Sequence, residues 1–189
     1  MVTNSEVIHI ETIVVNLLGE PSAGKSTAAM DITARLKRKG VNAEYVTEFA
    51  KDKVYENNQE VFKHQQYLFG KQSFRMGRVR DKVQVMVCDS PLLLNIIYND
   101  DDNILGEDFN NTVMRVHNSY YNKNYLLLRN HTYENEGRLH NEKEARAVRK
   151  KIMDKLDKLK IEYEIITSSE EHCERIACEI AQEVKKNEQ

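Results

Sequence analysis

The chain alternates between apolar runs and segments in which apolar residues recur at spacings of three and four. Residues 12–18 and 83–88 are largely apolar, which predicts strands that are buried on both faces. Shorter runs at 42–48, 125–128 and 161–167 predict three further strands. Because helical patterns separate these strands, we expect an α/β fold: a five-stranded parallel sheet covered by helices on both faces, in three layers.

Helical patterns occupy most of the intervening segments. Gly40 is expected to end the first helix in the left-handed conformation, and Pro91 suits the first turn of the next helix after the strand 83–88. The polar run 99–103 predicts a solvated loop, and residues 1–10 either fray or extend the first strand. The predicted helices cover 26–39, 59–80, 107–121 and 145–159, with a last helix whose buried stripe is Cys173, Ile176, Ala177, Ile180 and Val184.

Bulk composition narrows the class of protein. The 189 residues suffice for a buried core, so we expect 1–189 to form a single domain. Charged residues make up 31% and hydrophobic residues 40%, which is typical of a soluble globular chain. A net charge of −2 argues against a strong general attraction to nucleic acid or membranes. Three cysteines without metal-type spacing, and no signal-like or membrane-length apolar run, favour a cytoplasmic protein with reduced thiols.

The segment between the first strand and the first helix carries the clearest chemical pattern. It fits glycine, four free positions, then Gly-Lys-Ser/Thr, in the strand–loop–helix context that phosphate binding needs. Glycines allow the tight turn that directs backbone N–H groups at one anion, and the helix start adds its positive dipole end. We expect Lys25 to approach the β- and γ-phosphates of ATP and Ser26 to ligate Mg²⁺. The predicted phosphate-binding residues are Gly19, Glu20, Pro21, Ser22, Ala23, Gly24, Lys25, Ser26 and Thr27.

Two carboxylates follow predicted strands, at the sheet edge where open α/β sheets bind ligands. Asp89 ends the strand 83–88 and is expected to hold Mg²⁺ together with Ser26; the alternative is a helix cap ahead of Pro91. Glu48 ends the second strand and is predicted to accept a proton from an acceptor hydroxyl, or to bind that hydroxyl. A surface ion pair with a lysine is the alternative for Glu48.

Arginines suit the negative charge that develops on a transferred phosphoryl group. Arg129 leaves the fourth predicted strand, and Arg138 lies in the polar segment that follows it. We expect residues 129–141 to form a lid that closes over ATP and excludes water. An exposed loop with two solvated arginines is the alternative.

A basic, glutamine-containing helix follows the second strand. Residues 71–82 carry five Lys/Arg residues and one Asp, a net charge of +4, so Arg75 is a candidate contact for an anionic acceptor such as a nucleotide or DNA. Gln65 and Gln72 are seven residues apart and share a face, where their amides would pair with a nucleobase or nicotinamide. A solvated helix face explains the same residues without an acceptor.

These motifs together resemble a known family. The chain looks like the small single-domain P-loop ATPases and kinases common in bacteriophage genomes, which are related to the bacterial nicotinamide riboside kinase domain. The resemblance extends over about residues 13–181. It is carried by Asn16-Leu17-Leu18-Gly19 leading into the phosphate loop, Val46-Thr47-Glu48-Phe49-Ala50-Lys51-Asp52, the segment 65–72, Asp89-Ser90-Pro91-Leu92, the segment 129–133 and Gly137-Arg138.

The resemblance implies a nucleotide-kinase-like P-loop fold with ATP and Mg²⁺ as cofactors. It implies phosphoryl transfer to a nucleoside, a nucleotide or a modified base, with Glu48, Gln65 and Arg75 as acceptor residues. Some similar kinases act on bases within DNA, so DNA is one candidate acceptor. The alternative is an ATPase or ATP-gated binding module without a phosphoryl acceptor. No Asn-Lys-x-Asp segment follows the fourth strand, which disfavours a GTPase, and a homo-oligomer stays open.

Overall fold

Five parallel strands form the centre of the molecule. The computed structural model describes residues 11–99, 104–129 and 142–188. The strand order is β2-β3-β1-β4-β5, and each neighbouring pair is parallel, which confirms the predicted α/β sheet. The strands are β1 (Ile13–Gly19), β2 (Ala43–Val46), β3 (Val85–Cys88), β4 (Tyr121–Leu127) and β5 (Glu164–Ile166).

Helices cover both faces of this sheet. The α-helices of the described ranges are α1 (Lys25–Arg38), α2 (Phe49–Tyr55), α3 (Gln65–Gly77), α4 (Leu93–Tyr98), α5 (Gly106–His117), α6 (Glu142–Lys158) and α7 (Glu170–Asn187). A 3₁₀ helix spans Gln59–Lys63, between α2 and α3. Of the helices that lie in the described ranges, none is both long and apolar enough to cross a membrane.

Alternate residues of β1 face two hydrophobic cores, which is why this strand is apolar at almost every position. Val15 and Leu17 pack in the core that α1 and α7 cover. Val14 and Leu18 pack in the other core, which α4 and α6 cover. Side chains of a strand alternate between its faces, so a strand in the middle of three layers has no solvent-facing side. This arrangement leaves the carboxyl ends of the strands open for a site.

Several element boundaries agree with the sequence pattern. Gly40 has a φ of +82° and so takes the left-handed conformation predicted for it after α1. The stripe predicted for the last helix is buried along α7. The three cysteines are free thiols, as expected. β4, in contrast, starts four residues earlier than predicted.

β4 begins at Tyr121 rather than at residue 125, although its first half is polar. Asn16 on β1 explains this earlier start, because its Nδ2 donates to Oδ1 of Asn122 at 2.8 Å and of Asn124 at 3.0 Å. Asn122 in turn donates to the carbonyl of His117 at 2.7 Å. Amides that bond to one another can occupy a partly buried strand at low cost, and a search for apolar runs does not find them.

The segment between β2 and β3 differs most from prediction. β2 ends at Val46 and α2 begins at Phe49, where a strand reaching residue 48 was expected. α2 has no buried residue, so it lacks the apolar stripe by which periodicity detects a helix. The single helix predicted over 59–80 is interrupted at His64, whose φ of −112° and ψ of 71° are not helical. It therefore becomes the 3₁₀ helix followed by α3.

Asn99 is a further correction, because the sequence predicted a solvated loop there. Its side chain is buried, and Nδ2 donates to the carbonyl of Gly106 at 3.3 Å and to Oδ1 of Asn110 at 3.0 Å. Asn99 thus joins the end of α4 to α5. Residues 100–103 lie outside the described residues, as do residues 130–141 of the predicted lid, including Arg138.

Candidate active site

The loop between β1 and α1 has the backbone that phosphate binding requires. Gly19 has a φ of +152°, and a Cβ at this position would lie 2.8 Å from the carbonyl oxygen of Leu127. Gly24 has a φ of +84° and directly precedes α1. At both positions a side chain is disfavoured, at Gly19 by the approach of β4 and at Gly24 by its left-handed conformation. The two glycines therefore fix a tight turn at the carboxyl end of β1.

Lys25 folds back into this turn. Its Nζ donates to the carbonyl oxygens of Gly19 and Glu20, at 3.0 Å each. The first turn of α1 contains no acidic residue, and the described residues give it no side-chain cap. Its N–H groups and the Lys25 ammonium group therefore suit an anion. Thr27 follows in the same turn as an exposed residue.

Ser26 and Asp89 meet at the ends of α1 and β3. Ser26 Oγ donates to Asp89 Oδ2 at 2.7 Å, and Tyr45 of β2 donates its hydroxyl to the same oxygen at 2.6 Å. Asp89 is 1% exposed, and its other oxygen, Oδ1, is buried without a hydrogen-bond partner among the described residues. A hydroxyl beside a carboxylate with one oxygen left over fits Mg²⁺, which prefers hard oxygen ligands.

Tyr45 keeps its proton in this environment. Burial, and then the hydrogen bond and charge of Asp89, raise the pKa of the Tyr45 phenol well above its ordinary value. The phenol therefore stays a donor to the carboxylate. Sequence reasoning missed Tyr45, because its relation to Asp89 depends on strand register: it pairs with Val87, two residues before Asp89.

Glu20 and two arginines lie beside the phosphate loop. The Glu20 side chain is 1% exposed, and its carboxylate oxygens lie 3.9 Å from Nε of Arg129 and 3.8 Å from Nε of Arg149. A buried carboxylate is costly without such partners. Glu20 of the loop thus lies close to two arginines, one that follows β4 and one on α6. Arg149 was not predicted, because only the fold brings α6 to the loop.

A cavity of about 550 Å³ adjoins the phosphate loop. It brings together three residues that the sequence predicted for an acceptor or catalytic role: Glu48, Gln65 and Gln72. Its loop side is Gly19, Pro21 and Lys25, and its other polar lining residues are Lys51, Gln59, Ser90 and Asn95. Its apolar and aromatic lining residues are Phe49, Ala50, Val54, Phe62, Leu68, Leu94 and Tyr98.

Gln72 fixes the segment that carries Glu48. It is 3% exposed; its Oε1 accepts the backbone N–H of Phe49 at 3.0 Å, and its Nε2 donates to the carbonyl of Thr47 at 3.4 Å. These two bonds hold the residues on either side of Glu48. Gln65 is 6% exposed, and its Nε2 donates to the carbonyl of Phe62 at 3.0 Å. Both amides are therefore rigid parts of the cavity wall.

Tyr98 adds a hydroxyl to the same wall. Burial, and then the charge of Glu48, raise the pKa of Tyr98 to about 12. The phenol therefore keeps its proton at neutral pH and can donate to a ligand in the cavity. Sequence reasoning missed this role, because no motif marks Tyr98 in the mostly apolar helix α4.

Arg75 lies behind the Glu48 segment and is not among the residues that line the cavity. Its guanidinium donates to the carbonyl and the hydroxyl of Thr47 at 3.1 and 2.9 Å, and it pairs with Asp52 at 2.6 Å. It also lies over the ring of Phe49, 5.2 Å from the centroid. In this structure Arg75 supports the segment, and its direct contact with an acceptor stays a prediction.

Solved structures of a deoxyadenosine kinase and of NadR share the fold. Deoxyadenosine kinase from M. mycoides with dCMP and dCDP bound gives a TM-score of 0.53 at 16% identity, covering 92% of this chain and 97% of that one. The same enzyme with dATP bound gives a TM-score of 0.52 at 15% identity, covering 88% of this chain and 97% of that one. NadR in complex with NAD and AMP-PNP gives 0.58 at 13%, covering 88% of this chain and 49% of NadR. At these identities the similarity shows the fold alone.

Sequence comparison adds the family. A search among curated proteins finds no match to this chain. A family model described as an AAA domain matches residues 14–175, a range that includes the phosphate loop, Asp89 and all five strands except the first residue of β1. The predicted nucleotide-kinase-like P-loop fold is therefore confirmed, and the chain belongs to the AAA_28 family of P-loop domains.

Proposed function

We propose that this protein transfers the γ-phosphoryl group of ATP, with Mg²⁺, to a nucleoside, a nucleotide or a modified base. The observation that carries this proposal is the cavity of about 550 Å³ whose wall contains both Lys25 of the phosphate loop and Glu48. A protein that only hydrolyses ATP has no need of an acceptor-sized cavity beside its phosphate loop. Cavities of this size suit a small-molecule ligand.

On the donor side, the loop amides and Lys25 would bind the phosphates of ATP. Arg129 and Arg149, both near Glu20, would add positive charge next to the transferred group. Arg138 and the lid 129–141 belong to the proposal on the basis of sequence. Ser26 and Asp89 would hold Mg²⁺, which would supply positive charge against the phosphates.

On the acceptor side, Glu48 would accept the proton of the attacking hydroxyl. Gln72 holds the backbone on both sides of Glu48, which would limit the movement of this residue before an acceptor binds. The amide of Gln65 suits the donor and acceptor edges of a base, and the rings of Phe49 and Phe62 suit its faces. These features support a base-bearing acceptor over a simple sugar or a peptide.

The test is transfer of label from γ-labelled Mg–ATP to pooled nucleosides, nucleotides and oligonucleotides, with products identified by mass spectrometry. We expect label in one acceptor class. Glu48→Gln should lower transfer by roughly 10²–10⁴-fold while ATP affinity is retained. Glu60→Gln, the same change at an exposed residue paired with Lys63, is the matched control and should act like wild type.

Two results would contradict the proposal. Label released only as free phosphate across the whole panel would favour the ATPase alternative. Equal transfer by Glu48→Gln and wild type would remove Glu48 as the base, even if an acceptor were found.

A further inference from the structure

The exposed face of α3 carries a short repeat that the cavity does not use. Tyr67, Gly70 and Lys71 recur seven residues later as Phe74, Gly77 and Arg78, so the pattern aromatic-x-x-Gly-cation occurs twice. We call these six residues the α3 stripe. Seven residues are two helical turns, so the repeat lies along one side of the helix. The buried residues of α3, such as Leu68 and Met76, lie on another side.

Both rings of the α3 stripe are open to solvent, and each has a cation beside it. Tyr67 is 40% exposed and Phe74 68% exposed. Lys71 Nζ lies 5.5 Å from the centroid of Tyr67, and Arg78 Cζ lies 5.9 Å from that of Phe74. The two exposed rings on one helix face offer flat apolar surfaces to a ligand.

Packing against the described residues does not require glycine at positions 70 and 77. A Cβ at Gly70 or Gly77 would meet nothing within 4 Å. Glycine is disfavoured inside a helix, and Gly70 lies in the middle of α3. Since residues at i and i+3 are neighbours on a helix, a larger side chain at 70 or 77 would cover part of Tyr67 or Phe74. The glycines thus leave room for a ligand to approach the rings.

The positive charge around the α3 stripe favours an anionic ligand. α3 contains no acidic residue, and residues 71–82 carry a net charge of +4 in a chain of net charge −2. Acidic side chains on the preceding elements are each paired with a base: Asp52 with Arg75, Glu56 with Lys53 and Glu60 with Lys63. Alternating rings and cations match a ligand that offers flat apolar faces and regularly spaced anions.

We propose that the α3 stripe binds a single-stranded nucleic acid, with bases stacked on Tyr67 and Phe74 and phosphates beside Lys71 and Arg78. Unpaired bases present the faces that such stacking needs, whereas a duplex covers them. Aromatic rings and arginine also occur at protein interfaces, but the net charge of +4 over residues 71–82 favours a polyanion over a protein partner. This binding does not depend on the phosphotransfer proposed above.

The stripe leads towards the cavity. The Tyr67 ring packs edge-to-face on Phe49 at 5.5 Å between centroids, and Phe49 lines the cavity. An open groove of about 350 Å³, lined by Lys53, His64 and Tyr67 among others, continues from the same end of α3. A single-stranded nucleic acid bound along the α3 stripe would therefore reach the cavity beside the phosphate loop.

The test is fluorescence anisotropy of a labelled oligothymidylate of about 15 nucleotides with the full chain, at about 50 and 200 mM salt. We expect binding to the oligothymidylate, weaker binding to an abasic strand of equal length, and little to a duplex. Phe74→Ala should weaken binding roughly 5- to 150-fold, the range for one stacked base. The double variant Lys71→Gln/Arg78→Gln should make the slope of log binding constant against log salt concentration shallower by about 1.4, because contacts with two phosphates are lost.

Gly70 provides a matched pair of variants. Gly70→Glu and Gly70→Gln both add a side chain in open space, and only the first adds a negative charge. Both should fold at least as well as wild type, and Gly70→Glu should bind the oligonucleotide more weakly than Gly70→Gln. Ile165→Ala, an exposed apolar truncation on β5 at the other edge of the sheet, should bind like wild type.

Several results would overturn the inference. These are no binding at the lower salt, binding that survives Phe74→Ala, or equal affinity for the abasic strand. Self-association in sedimentation equilibrium that Phe74→Ala abolishes, without oligonucleotide binding, would instead assign the stripe to a second copy of the chain. An oligoribonucleotide arm tests whether the sugar matters, and binding to either strand supports the inference.

Discussion

Replacing Tyr45 by phenylalanine tests whether the hydroxyl on β2 positions Asp89. The change removes one of the two donors to Asp89 Oδ2 and leaves the other, Ser26, in place. A hydrogen bond to a charged group contributes about 1.5–3 kcal/mol. Because Asp89 is 1% exposed, water cannot readily replace the lost donor. We therefore expect Tyr45→Phe to lower the free energy of unfolding by about that amount.

The same variant should weaken Mg²⁺ binding. Groups that orient a metal ligand typically change metal affinity by about 10- to 100-fold. Urea unfolding without nucleotide measures the change in the free energy of unfolding. Calorimetric titration of ADP with and without Mg²⁺ gives the metal term, and ADP affinity without Mg²⁺ should not change.

Tyr163→Phe is the matched control for Tyr45→Phe. Tyr163 also donates its hydroxyl to an aspartate, Asp157, at 3.1 Å, but this pair is exposed and distant from the loop. The control should change stability by less than about 0.5 kcal/mol and leave Mg²⁺–ADP affinity unchanged. If the two variants behave alike in both measurements, Tyr45 does not position Asp89.

Two further predictions concern stability. Burial lowers the pKa of His117 to about 4, whereas the pKa in the unfolded chain is 6.5. Between pH 6.5 and 4, therefore, the unfolded state binds the proton and the folded state does not. The free energy of unfolding should fall by about 3 kcal/mol over this pH range. His117→Gln should flatten this slope in urea melts, and an unchanged slope would contradict the assignment. Gly19→Ala should lose about 1–3 kcal/mol and most Mg–ATP binding, because its Cβ meets the Leu127 carbonyl. Gly70→Ala, which meets nothing, is the control, and equal melting temperatures for the two alanine variants would refute the clash.

The sequence predicts the fold well where one physical effect dominates. Strands β1 and β3 are buried on both faces, so their apolar runs identify them directly. The stripe of α7 does the same for a helix that packs on one side. Prediction failed at α2, which buries no residue, and at the start of β4, where Asn16 makes polar residues acceptable.

The site divides in the same way. The phosphate loop and Asp89 are predictable, because a local pattern and a strand end determine them. Glu48 was predicted from a strand end, and Gln65 and Gln72 from a shared helix face; the fold brings all three to one cavity. Tyr45 and Arg149 depend on contacts with residues 44 and 129 positions away, which no local pattern encodes.

Titration calorimetry with Mg–ATP tests the central claim, that the β1–α1 loop and Lys25 bind a polyphosphate. Wild type should release heat and melt at a higher temperature with millimolar nucleotide. Lys25→Ala should lose both effects while staying folded, whereas Lys51→Ala, a lysine of the same cavity outside the loop, should keep them. No heat and no melting shift for wild type, or an unchanged response in Lys25→Ala, would contradict the claim.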